Sequence, residues 1–340
     1  MPQFVRRIPL CRFAINKGLK LLFGRSVAAS PEAKVLQACS VSEAALSAKG
    51  RNILPHEFVF GLFLFITWAR LFLQGEGASP PALSLLALLV GSYLIACWTP
   101  GNSTPGRWRV RLLWYPAIMG ISFSILPSSI QLLQTSSADG LLASLDRRLL
   151  GKDVSTLFEK WNYPLVTELM MGAYLFFFYY LIAGPGHYCV RNLPRFRECF
   201  AGLFTVYGMS FVGYTCWPAT GPIYHLKYAS PLQGGCLTSW ALPLISAGSN
   251  GVDVFPSIHL AASLYLLVFD YWHYQRRFWL LLLPCLVLWI STIYLRYHYL
   301  VDLMAGAILA VVGLVVARIY AKRTRKWVAV ERDATTTDNY

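Results

Sequence analysis

Apolar residues along this chain gather in long runs, and the polar residues fall between them rather than on alternating faces. Eight runs, at about 57–73, 82–99, 112–133, 165–183, 199–217, 258–273, 278–296 and 299–320, are each bounded by proline, glycine or charge. A bilayer core is about 30 Å thick and a helix rises about 1.5 Å per residue, so a spanning helix needs about 20 mostly apolar residues. The pattern predicts an all-α fold, a polytopic transmembrane helix bundle of about eight spans. Pro116 and Pro127 fall inside the third run, which is therefore expected to be kinked or broken.

Between the third and fourth runs, Leu141, Leu145 and Leu149 recur every four residues beside Asp146, Arg147 and Arg148. This predicts an interfacial helix at 141–150, with Gly151 placed to end it. Residues 218–257 are rich in glycine, proline and serine and read as a long loop on the same face, of the kind that covers or builds a site. Residues 1–51 carry no acidic side chain before Glu32. They lack the apolar run of a cleaved secretory signal, and three readings stay open: an amphipathic helix lying on anionic lipid, a disordered basic arm, or an organelle transit peptide.

Composition agrees with the pattern, since 56% of the 340 residues are hydrophobic and only 14% charged, too few to coat a water-soluble globule of this size. The net charge of +14 raises the question of nucleic acid, and its distribution answers it. With the N-terminus placed in the cytoplasm, 23 Lys and Arg fall on the cytoplasmic side and six on the other, with Arg70 inside the first span. Basicity is then a topology signal that places both termini in the cytoplasm, and no nucleic-acid partner is expected. The eight cysteines show no zinc spacing, so no metal site is expected. Cys216 and Cys236 share the non-cytoplasmic side, where a disulfide between them is a candidate.

Chemistry gathers in two stretches, Phe255-Pro256-Ser257-Ile258-His259 and Tyr294 to Asp302. His298 and Asp302 stand four apart at the start of a span, so one helix face carries both, and the carboxylate can hold an imidazole nitrogen. Such a pair can also be purely structural, although ionisable groups inside spans are rare and usually functional. Between His259 and His298 the chain runs down one span, turns at Arg276-Arg277, and returns, which brings both histidines to one face. Pro256-Ser257 suits the opening of a helix whose free N–H groups and positive dipole end attract phosphate.

These stretches resemble two signature motifs of the type 2 phosphatidic acid phosphatase superfamily, Pro-Ser-x-His and His-x-x-x-Asp. Arg296-Tyr297-His298-Tyr299-Leu300-Val301-Asp302-Leu303, followed by Ala305-Gly306, looks more like the inositol phosphorylceramide synthase branch. Leu145-Asp146-Arg147 and Trp217 to Pro222 are similar to upstream features of that branch. The superfamily's arginine six positions before the nucleophilic histidine is replaced by Thr292, and no Arg-Pro follows Lys227 at the spacing of its first motif. The phosphate clamp therefore does not carry over whole. Arg296, Lys227 and Ser257 stand as candidates for holding phosphate. Arg296 would point away from His298 on a regular helix, an objection that weakens if the chain there is a turn.

The resemblance implies a metal-independent lipid phosphatase or phosphotransferase without a cofactor. His298 would be the nucleophile, Asp302 its orienting partner and His259 the general acid and base. The donor would be a lipid phosphate and the acceptor a lipid alcohol, as in transfer, or water, as in hydrolysis. A transporter whose polar groups line a passage is the reading from another class. The expected organisation is a basic cytoplasmic segment at 1–51, additional spans at 52–135, a catalytic membrane domain with a six-helix core at 136–320, and a basic cytoplasmic tail at 321–340. Either a bacterial inner membrane with a periplasmic site or a Golgi membrane with a lumenal site fits this topology.

Overall fold

The computed structural model describes residues 53–100, 103–248 and 251–336. Contacts divide the chain into Met1–Gly50 and Arg51–Tyr340, and the described residues all belong to the second unit; the expectations for 1–51 lie outside them. Proline opens the first three helices, Pro55–Leu73 (α1), Pro80–Trp98 (α2) and Pro105–Leu133 (α3), where its fixed φ suits a first turn and its missing N–H costs nothing. Asp139–Leu150 (α4) follows and ends at Gly151 in the left-handed conformation, after which Val154–Trp161 forms a 3-10 turn. The long helices Pro164–Arg191 (α5) and Leu193–Cys216 (α6) come next. Two shorter ones, Pro222–His225 (α7) and Cys236–Gly248 (α8), lie within the expected loop. Ile258–His273 (α9), Gln275–Tyr294 (α10) and Leu300–Thr336 (α11) complete the bundle.

Helix α6 is the central rod. It is buried on nearly every side and packs against α1, α3, α5, α9 and α11. Small residues let backbones close on it, as is usual where helices associate in lipid: a Cβ at Gly202 would come within 2.6 Å of the Gly313 carbonyl on α11. The outer helices turn large apolar side chains outward, among them Leu165, Ile182, Leu280 and Ile308. Among the described residues, seven helices are long and apolar enough to cross a membrane, which makes the chain an integral membrane protein.

The expected sixth span is the one that differs. Helix α9 occupies its bounds, Ile258–His273, but has only 16 residues, about 24 Å of rise against a core of about 30 Å. The third span is one continuous helix through Pro116 and Pro127. Ser129 Oγ, which donates to the Ile125 carbonyl at 3.0 Å, is one of the side chains that take up carbonyls near the interruption. Basic residues expected in a separate tail continue α11 as far as Thr336. Cys216 and Cys236 are both free, so the candidate disulfide is not formed.

At the end of the bundle away from the two histidine stretches, α3 is tied to α1 by a buried ion pair. Arg111 Nε donates to Glu57 Oε1 at 2.6 Å, Nη2 to Oε2 at 2.5 Å, and Nη1 to the Thr99 carbonyl at 2.8 Å. Arg111 is 2% exposed and Glu57 8%. Arg111→Ala is expected to cost about 3–5 kcal/mol by leaving a buried carboxylate unpaired. Unfolding of the detergent-purified protein measures it, and the double change Arg111→Met with Glu57→Gln should recover most of the loss.

Candidate active site

Helices α9 and α11 lie side by side and begin level with each other. Gly306 permits this, since a Cβ there would meet the Ser257 carbonyl at 2.5 Å, and the Ser257 N–H donates to the Asp302 carbonyl at 3.2 Å. Between α10 and α11 the chain makes a tight reversal: Arg296 adopts φ +66°, and the N–H groups of Tyr297 and His298 both donate to the Thr292 carbonyl, at 3.0 and 3.1 Å. That reversal sets His298 at the mouth of α11, facing the first turn of α9.

The three side chains form a line. His298 Nδ1 lies 3.1 Å from Asp302 Oδ2, and His259 Nδ1 lies 2.9 Å from His298 Nε2. The Tyr299 N–H also donates to Asp302 Oδ2, at 3.1 Å. A carboxylate can only accept, so His298 carries its proton on Nδ1 and turns the Nε2 lone pair toward His259. His298 is 3% exposed and Asp302 is fully buried. Two aromatic rings flank His259, Tyr174 at 4.9 Å and Phe177 at 4.6 Å between centroids, and Tyr297 stands 5.0 Å from Tyr174.

The two helix N-termini at this site are treated differently. The Asp146 carboxylate of α4 caps α11, accepting from the N–H groups of Leu300 and Val301 at 2.9 Å each. Burial raises the pKa of Asp146 above the ordinary carboxylate value even so. The Ser257 side chain makes no cap on α9, and its buried Oγ has no hydrogen-bond partner among the described residues. The first-turn N–H groups of α9 have no intrahelical acceptor and open beside the histidine pair, where an anion would be held by the helix dipole.

A second carboxylate, Asp139 of α4, builds the wall. It accepts from the N–H groups of Thr220 and Gly221 at 2.8 and 2.9 Å, from Ser137 Oγ at 2.6 Å and from the Tyr299 hydroxyl at 2.9 Å. Gly221 itself, at φ +95°, leaves no room for a Cβ, which would lie 2.7 Å from the Tyr297 carbonyl. Burial opposes the charge of Asp139, but these hydrogen bonds outweigh it and hold the pKa below the ordinary value. The sign follows from the lowered folded-state pKa: this stabilisation is present above the unfolded-state value near 3.9 and is lost as pH falls through the folded-state value. Asp139→Ala is expected to destabilise by about 2–4 kcal/mol at neutral pH and by much less in acid, measured by unfolding at the two pH values.

A family model described as the PAP2 superfamily matches residues 141–316. That is just over half of the chain. It belongs to the PAP2 superfamily. No curated protein matches it, and no solved structure does. Members of the superfamily are generally phosphatases or phosphotransferases, and a membrane-embedded member acts on lipid. The matched region runs from α4 into α11 and contains His259, His298, Asp302 and Asp146, while Asp139 and the first three helices lie outside it.

Set within the PAP2 region, the remaining sequence candidates separate. Ser257 lies beside Asp302, its N–H donating to the Asp302 carbonyl. Arg296 is buried but otherwise engaged: its guanidinium lies over the Tyr228 ring at 3.7 Å and 3.7 Å from Glu159 Oε1, and burial lowers its pKa from the ordinary value. Lys227 is exposed on the α7–α8 connection, with no bond joining it to the histidines. The aromatic pair Tyr174 and Phe177 lies in an unbroken apolar run and gave no sequence signal. Asp146 stood out only through the resemblance, and Asp139 not at all. Among the described residues no three His, Cys, Asp or Glu side chains are grouped to hold a metal ion.

Proposed function

We propose that this chain is a lipid phosphotransferase that moves a phosphorylated headgroup from one lipid to another through a phosphohistidine on His298, in the manner of the inositol phosphorylceramide synthases. The observation that carries the reading is the aligned series Asp302, His298 and His259 at the open N-terminus of α9. His298 Nε2 attacks the phosphorus of the donor, an N–P bond forms, and the bond from phosphorus to the leaving oxygen breaks. Protonated His259 delivers its proton to that oxygen, and Asp302 stabilises the charge that develops on the His298 ring. His259, now neutral, takes the proton of the acceptor hydroxyl, whose oxygen attacks phosphorus and releases His298. The first-turn N–H groups of α9 and Ser257 Oγ meet the charge on the phosphoryl oxygens.

Burial favours an alcohol over water as acceptor. His298 and Asp302 are nearly closed to solvent and His259 is flanked by Tyr174 and Phe177, an apolar surround suited to a hydroxyl presented on a lipid such as ceramide or diacylglycerol. The uneven distribution of Lys and Arg supports a reading in which this end of the bundle faces away from the cytoplasm, toward a bacterial periplasm or a Golgi lumen. The test is product analysis: purified protein with labelled phosphatidylinositol or phosphatidic acid, with and without ceramide. A new acceptor-dependent phospholipid is the expected product, whereas inorganic phosphate alone, unchanged by ceramide, would replace transfer with hydrolysis.

A further inference from the structure

A second polar cavity lies at the opposite end of the bundle. It occupies about 200 Å³ between the end of α5, the start of α6 and the turn from α9 to α10, and is lined by His187, Arg191, Asn192, Arg195, His273 and Tyr274. His273 and His259 lie at the two ends of α9, 14 residues and about 21 Å apart, so the cavity is no extension of the proposed active site. Two of its lining residues, Arg191 and Arg195, are among the basic residues assigned to the cytoplasmic side.

Its charge is not balanced from within. One carboxylate, Glu198, serves two side chains: Arg195 Nη1 lies 2.9 Å from Oε2, and His273 Nε2 lies 3.3 Å from Oε1. The nearby Asp270 is fully occupied, accepting from Arg277 Nε at 2.7 Å and from the Tyr180 and Tyr188 hydroxyls at 2.8 and 2.9 Å. Among the described residues the Arg191 side chain makes no hydrogen bond or ion pair, and it lines the cavity. The His187 ring stacks on Tyr274 with centroids 5.3 Å apart, which fixes its nitrogens at the rim. Planar Arg191, half-engaged Arg195 and two histidines around one concavity are the donor set that recognises a phosphate group. The volume is below the about 300–1,000 Å³ of drug-sized pockets and suits a headgroup whose acyl chains stay in the bilayer.

We propose that this cavity is a phosphate-binding site distinct from the histidine pair, taking a phosphomonoester group from an anionic lipid of the opposite leaflet or from a soluble phosphate. Basic pockets between transmembrane helices on the cytoplasmic side commonly take such headgroups. The full-length protein, purified in detergent, would be titrated with phosphatidic acid, with phosphatidylcholine and with inorganic phosphate, and bound ligand counted by native mass spectrometry. Two phosphatidic acid molecules are expected per chain, against none of phosphatidylcholine at this site. Arg191→Gln should weaken one of the two by about tenfold, the loss of one charge-assisted contact, and leave lipid turnover unchanged. Arg276→Gln, which removes an exposed charge at the same end but outside the cavity, should leave both unchanged. Weakening of phosphatidic acid alone identifies the lipid as the source, and parallel weakening of inorganic phosphate identifies the soluble anion. Equal effects of Arg191→Gln and Arg276→Gln, or none from Arg191→Gln, would overturn the site.

Discussion

His298→Ala is expected to lower turnover of a lipid phosphate substrate by about 10⁴-fold or more, because it removes the ring nitrogen proposed to attack phosphorus. The size of the effect follows from geometry. His298 Nε2 is the one imidazole nitrogen at the site whose partner ring nitrogen is fixed by a carboxylate, Asp302 Oδ2 at 3.1 Å. His259 has no carboxylate partner of its own among the described residues, its Nδ1 lying against His298 Nε2, so it is a poor substitute. Removing the ring also strips Asp302 of a partner in a fully buried place, so stability has to be followed alongside rate. His298→Gln keeps an amide able to donate to Asp302, and is expected to unfold near the native temperature while remaining as inactive as His298→Ala. Recovery of activity in the folded glutamine variant would show that the ring is structural.

His259→Gln is expected to cost about 10²–10⁴-fold, the usual worth of general acid–base catalysis. The loss should depend on the leaving group, which separates a proton donor from a residue that merely shapes the site. With a natural lipid donor the departing alkoxide needs a proton. With an activated aryl ester it does not, and the first step should then recover most of its rate. The second step still lacks a base, so the covalent intermediate should accumulate in His259→Gln with the aryl substrate and stay scarce in the native protein. Equal losses with both substrates would remove His259 from the proton-transfer role.

The bundle was legible in the chain because lipid makes a severe demand: every backbone group must be satisfied inside its own helix, so apolar length alone marks a span. Bounds such as 57–73 and 165–183 fell within Pro55–Leu73 and Pro164–Arg191 for that reason. Length is also where one of the eight expected spans differs. Helix α9 has only 16 residues, and the packing of Gly306 against Ser257 together with the Ser257 N–H bond to the Asp302 carbonyl holds it beside the start of α11. The meeting of the histidines was legible because one turn at Arg276-Arg277 must return the chain to the face it left. Cation placement was not. The direction of Arg296 depends on its own positive φ and on partners distant in sequence, Glu159 and Tyr228, while Lys227 is exposed on the α7–α8 connection. The bonding roles of Asp139 and Asp146 were hidden for the same reason, because the two aspartates accept from segments about 80 to 155 residues further along the chain.

The 2.9 Å contact between the rings leaves no space for phosphorus between them, so His259 must draw away from Nε2 as substrate enters, with Tyr174 and Phe177 as the surfaces along which its ring can turn. Formation of the intermediate is therefore the step on which the whole account rests. The most direct measurement is to mix the purified protein with labelled phospholipid in the absence of acceptor, quench at alkaline pH where phosphohistidine survives, and map covalent label by mass spectrometry. The account predicts a single labelled residue, His298, discharged when a lipid alcohol is added. Label on any other residue, or product formed with no labelled protein at any time, would contradict it.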